Sequence, residues 1–176
     1  GAVLTDYQLF CRLRDAAWDR AGDAAIAGLQ AALDLVRGPL PKPDTTRPSG
    51  QGGWLWMSTT AAYHHMPPAV VEVAVRLAEA YLHAGDAARA RDAVVKLLAF
   101  NEPEFVFDER LWQLRLLADF RLGGDEAAWA TVGLLEAMLR ERARYMDDEE
   151  YGQMSPELDR FIADLLNARP ATASAS

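Results

Sequence analysis

The stretch AVVEVAVRLAEAYLHAGDAARARDAVVKLL, residues 69–98, decides the fold. Its apolar residues Val70, Val73, Ala74, Leu77 and Tyr81 recur at helical spacing and share one face. The tripeptide Ala84-Gly85-Asp86 then interrupts the pattern before a second amphipathic run. A Gly just past a helix end can adopt the left-handed conformation, and an Asp after it can cap the next helix. The stretch therefore predicts an antiparallel hairpin of residues 69–84 with 86–99.

Working outward, the same signature appears twice more, at Ala21-Gly22-Asp23 and Gly123-Gly124-Asp125. Ile26, Leu29, Ala32, Leu33 and Val36 form one apolar face beside the first turn. Ala128, Thr131, Val132, Leu135, Met138 and Leu139 form another beside the third. The predicted hairpins are 5–20 with 23–37 and 108–122 with 125–145. A last helix starts at Ser155-Pro156-Glu157, with Ser155 as cap and Pro156 at the first helical position, and runs to about Ala168. No segment alternates at period two. The expectation is an all-α chain of about seven helices.

Gly85 and Gly124 stand 39 residues apart, Gly22 and Gly85 63. Tetratricopeptide units repeat every ~34 residues, so the pattern is one of helix-hairpin repeats with additions, a tetratricopeptide-like superhelix. The extra length falls in residues 38–68, which hold six of the nine prolines together with Gly50, Gly52 and Gly53. Proline and glycine oppose helix, so most of this segment is expected to be a loop insert. It also carries Trp54, Trp56, Met57 and Tyr63, which predicts a loop pinned onto the helices by its tryptophans. Residues 1–170 read as one helical repeat domain, and 171–176, small and polar, as a disordered tail.

Composition narrows the function classes. The 176 residues are 51% hydrophobic and 25% charged, with a net charge of −8, a balance that excludes disordered and low-complexity classes. An acidic field disfavours phosphate backbones and anionic membranes, so no direct nucleic-acid binding is expected of this fragment. No apolar run approaches the ~20 residues of a membrane-spanning helix, so no membrane insertion is expected. Cys11 is the single cysteine, so no internal disulfide is possible and no oxidising compartment is called for. The chain reads as the interior of a longer gene product, with a cytoplasmic location expected.

The run Leu29-Gln30-Ala31-Ala32-Leu33-Asp34-Leu35-Val36-Arg37-Gly38-Pro39-Leu40 resembles the bacterial transcriptional activator domain. That domain follows the DNA-binding segment in regulators of the actinobacterial antibiotic-regulatory-protein type. The hairpin around Leu82-His83-Ala84-Gly85-Asp86 and the closing Ser155-Pro156-Glu157-Leu158 also fit, and Trp54 or Trp56 fits the Trp that follows the run in that family. The resemblance spans roughly residues 5–168. It implies a tetratricopeptide-like α-superhelix serving protein–protein contact, oligomerisation or control of a transcription regulator. The sequence departs from the family at Asn101-Glu102-Pro103-Glu104-Phe105, where Phe105, Val106 and Phe107 add bulk. The winged-helix DNA-binding domain is not part of this chain. Related domains also accompany peptidoglycan-binding or membrane segments.

Signatures of chemistry are sparse. His64-His65 are adjacent, whereas metal sites on helices use i, i+3 or i+4 spacing with further ligands, so the pair reads as a loop or helix-start feature. His83 suits a helix C-terminus. Cys11 reads as a small buried apolar group. The run Asp147-Asp148-Glu149-Glu150 lacks the alternating ligands and central Gly of a calcium loop and reads as a solvated link. Arg140, Arg142 and Arg144 do not share a helix face, and Gly50-Gln51-Gly52-Gly53 reads as a turn. Trp18, Trp112 and Trp129 are expected in the core. No catalytic, cofactor-binding or metal residue is assigned, no cofactor is expected, and the chain is read as a non-enzyme. Trp54 and Trp56 are the candidate partner contacts. The expected function is a protein–protein interaction or regulatory module of a bacterial transcription regulator. The partner would be a protein, another domain of the parent chain, or a second copy in a homodimer. The alternative is a helical scaffold of a cell-envelope or signalling protein.

Overall fold

A computed structural model of the chain describes residues 5–39, 61–147 and 152–167. Every regular element among them is helical. The first hairpin pairs α1 (Asp6–Trp18) with α2 (Gly22–Asp34), and the second pairs α3 (Ala61–His83) with α4 (Ala87–Leu98). A single turn, α5 (Pro103–Val106), leads into α6 (Glu109–Met146), and α7 (Pro156–Asn167) packs on α6. The described residues thus hold six helices of at least a dozen residues, rather than the expected seven, plus one short turn.

The count differs because the third hairpin forms a single helical run broken at Gly124, whose φ of 66° and ψ of −154° lie outside the helical region. It still folds back on itself. The Thr131 hydroxyl donates to Asp119 Oδ2 at 2.6 Å across twelve residues of sequence, which a straight helix would separate by about 18 Å.

Local chemistry explains where the helices begin and stop. Thr5 and Gln8 form a capping box at the start of α1. At the second turn Gly85 takes φ +80°, the Asp86 N–H donates to the Tyr81 carbonyl at 2.8 Å, and Asp86 Oδ1 accepts from the Arg89 N–H. There the Gly-Asp reading holds in full. At the first turn Gly22 is also left-handed, but Ala21 occupies the cap position and Asp23 lies inside the first helical turn. Asp23 therefore acts only through its charge at the positive helix end. Ser155 Oγ accepts from the Leu158 N–H and donates to Glu109 Oε2, so one hydroxyl caps α7 and ties it to the start of α6.

The loop boundary needs correction. The expected insert of residues 38–68 gives way to helix at Ala61, with Pro67 and Pro68 inside α3. An interior proline removes one backbone hydrogen bond and crowds the carbonyl four residues back. Here Pro67 is buried, and Met66, Val70 and Val71 pack on the core around it, so burial offsets the local penalty. Residues 40–60, 148–151 and 168–176, including Trp54, Trp56, the Gly50–Gly53 turn, most of the acidic run and the expected tail, lie outside the described residues.

The core runs in chain order through the stack. Leu29 and Leu33 of α2, Val73, Ala74 and Leu77 of α3, Val94 and Leu97 of α4, and Leu111, Leu116 and Leu135 of α6 are all buried. Phe105, fully buried, plugs the corner between α4 and α6 and lies beside Phe100. Later hairpins also cap earlier ones. Lys96 Nζ donates to the Leu33 carbonyl at the end of α2, and Arg121 Nη1 donates to the Leu82 carbonyl at the end of α3. Each places a cation where the helix dipole is negative, as a second donor to a carbonyl that already accepts a turn N–H, from Val36 and Gly85 respectively.

Candidate functional site

Helix α3 is enclosed on nearly all sides. Solvent reaches it mainly along one stripe, His65, Pro68, Glu72, Arg76, Glu79 and His83, spaced three or four residues apart. The end of α1 borders this stripe on one side and the first arm of α6, residues 109–123, on the other. Across the first border the Arg76 guanidinium sits over the Trp18 indole, 3.8 Å from its centroid. Across the second, Arg110 Nη1 donates to Glu72 Oε2 at 3.0 Å. The other guanidinium N–H groups of Arg110 grip both oxygens of Asp108, whose Oδ1 also accepts from the Arg110 backbone N–H. The bond from Asp108 drives the Arg110 pKa further above its already high value, with Glu72 adding to it. Arg110 and Glu72 are substantially exposed, so their ion pair stabilises the fold little; Asp108 is more buried. Their effect is to hold charges in fixed positions along a shallow groove.

A hollow of about 540 Å³ opens at the α1 end of this strip, lined by Arg14, Asp15, Trp18, Asp19, Pro68 and Glu72. Trp18, 37% exposed, is its apolar element. A second hollow, about 580 Å³, lies between α5 and the end of α6, where Arg142 stacks 3.9 Å over half-exposed Phe107. A smaller apolar cavity of about 250 Å³ is walled by Tyr7, Phe10, Leu35, Val36, Met66 and Val70. It falls below the ~300–1,000 Å³ usual for small-molecule sites.

Behind the strip lies a buried polar cluster that sequence reasoning missed. Asp119, 5% exposed, accepts from Thr131, pairs with Arg91 Nε at 3.0 Å, and faces Arg115 Nε at 3.6 Å. The last distance is ion-pair range only, and the Arg115 Nε–H makes no hydrogen bond. Burial lowers the Arg115 pKa, partly countered by the Asp119 charge. One carboxylate thus joins α4 to both arms of α6. Its signal in the sequence was weak: Asp119 follows Leu116 by three residues and so falls on an apolar stripe, but its partner Thr131 lies beyond the turn.

The other sequence candidates fall in scattered places. His64 and His65 are exposed on the first turns of α3, and His83 Nδ1 lies 2.8 Å from the Glu79 carbonyl. Among the described residues no group of three His, Cys, Asp or Glu side chains could hold a metal ion. Cys11 is half-buried beside the core and next to Tyr7, whose phenol is pushed up by burial and by its bond to Cys11. Arg140 pairs with Glu136. Of the three tryptophans expected in the core, only Trp112 is buried, donating Nε1–H to the Val106 carbonyl. Trp129 is 58% exposed and Trp18 lies in the strip. Both stand one residue past a buried alanine, about 100° off the core face. Trp54 and Trp56 lie outside the described residues.

No described helix is long and apolar enough to cross a membrane. Comparison with protein-family models, curated proteins and solved structures gave no match.

Proposed function

We propose that the chain is a non-enzymatic protein–protein interaction module, a tetratricopeptide-like stack of hairpins serving a bacterial transcription regulator. The observation that carries this reading is the strip crossing α1, α3 and α6, with Trp18 under Arg76 and the Asp108–Arg110–Glu72 chain beside it. Stacked hairpins present the first helix of each pair on one face, which suits an extended or helical segment of another protein. An aromatic ring among fixed charges supplies an anchor and a register in one groove. The resemblance of residues 29–40 to the bacterial transcriptional activator domain supports the regulatory role. The run contributes the buried Leu29, Ala32 and Leu33 to the core, which supports a packing role for that part of it.

The test is selection of displayed peptides on the immobilised chain, followed by amide-exchange footprinting of the winning peptide. Protection confined to the end of α1, the middle of α3 and the first arm of α6 supports the reading. Protection elsewhere, or no peptide bound more tightly than ~100 µM, contradicts it.

A further inference from the structure

The second arm of α6, residues 125–146, carries a face that the strip does not use. Ala128, Thr131, Val132, Leu135 and Leu139 turn inward. Directly opposite run Glu126, Ala130, Gly133, Ala137 and Arg140, all exposed. Trp129 and Leu134, 58% and 50% exposed, stand on the two shoulders of this line. A Cβ at Gly133 would meet nothing within 4 Å. Small side chains along the line let another backbone approach closely, and the exposed indole is a large apolar surface left uncovered within the chain.

We infer that this face pairs two copies of the chain, antiparallel, about a twofold axis at Gly133. The order of residues is self-complementary about that point. Glu126 and Arg140 lie seven residues to either side, about 10 Å along the axis, so antiparallel pairing sets Glu126 of one copy against Arg140 of the other, twice. Trp129 and Ala137 lie four residues to either side, so each indole covers the small Ala137 side chain of the second copy. Arg140 meets Glu136 of its own helix in an exposed contact at 3.7 Å, a weak pairing that a better-placed carboxylate can replace. Asp125 and Glu141 would repel if they met, but they project from opposite sides of the helix, about 160° apart. A symmetric interface of this kind uses the same patch on both partners. Opposite charges at the two ends fix its direction.

Sedimentation velocity of the 176-residue chain from ~1 to ~200 µM, the range of a small single-helix interface, tests the pairing. A reversible monomer–dimer equilibrium is expected. Gly133→Glu should weaken it at least about tenfold while leaving the melting temperature unchanged or raised, because Glu favours helix over Gly. Glu126→Arg should weaken the dimer, and Glu126→Arg with Arg140→Glu should restore it. A wild-type chain monomeric throughout this range overturns the proposal, as does a dimer indifferent to both Gly133→Glu and the charge exchange.

Discussion

Helix α3 and the second arm of α6 are both amphipathic by sequence, yet they end in different surroundings. In α3, Val70, Val71, Val73, Ala74, Val75, Leu77 and Ala78 are all buried, leaving one narrow polar stripe. The second arm of α6 buries a single side and leaves Trp129 and Leu134 in solvent. The difference is one of position in the stack. Helix α3 has neighbours in α2, α4, α5 and α6, whereas the second arm is the outer half of the last hairpin, set against the first arm and the Phe107 corner with no further hairpin described beyond it. Burial in a stack of hairpins is set by how many layers lie on each side, which a helix's own periodicity does not encode.

Substitutions sharpen that contrast. Leu77→Ala, at the centre of α3, should cost about 3–5 kcal/mol in denaturant unfolding, since the site is closed on all sides and cannot collapse easily. A loss well under ~1 kcal/mol would mean that the layers around α3 are loosely packed. Asp119→Ala should cost about 3 kcal/mol by leaving Arg115 buried without a counter-charge, with the half-exposed Arg91 turning to water. The double change Asp119→Leu with Arg115→Met should recover much of that loss, because an apolar pair of similar shape needs no counter-charge.

Gly85→Val should destabilise by about 1–3 kcal/mol, because φ +80° strains a β-branched residue even though no atom lies within 4 Å of its Cβ. An unchanged melting temperature would show that the turn can rearrange without cost. At the small end, Trp129→Ala should alter the stability of the monomer by no more than about 0.5 kcal/mol, since the indole is largely in solvent. A loss comparable with that of Leu77→Ala would erase the contrast between the two regions.

The parts legible in the sequence were those decided locally. Gly85-Asp86 could be read because a left-handed glycine and a capping carboxylate act within a few residues. The same tripeptide at Gly22-Asp23 gave the turn but not the cap, since the helix there begins one residue earlier. Pro67 and Pro68 argue for a loop because their penalty is local, whereas what offsets it, the burial of Pro67 and its neighbours in the core, is tertiary. The Trp18–Arg76 stack was invisible for a related reason: 58 residues separate partners that only hairpin stacking brings together. The exposure of Trp129, by contrast, was readable. It lies off the face defined by Ala128, Val132 and Leu135, so the same periodicity argues for exposure, and the expectation of a core Trp129 followed its size instead.

We propose above that the strip over α3 binds a segment of another protein. Isothermal titration calorimetry of a display-selected peptide, against the wild type and against Arg76→Glu, tests it most directly. Arg76 is partly exposed on the solvent stripe of α3, so its replacement should cost the fold little, which the melting temperature of the variant checks. At least about a tenfold loss of affinity is expected in Arg76→Glu, which removes the stack on Trp18 and reverses the charge at that position. Equal affinity in the two proteins would contradict it.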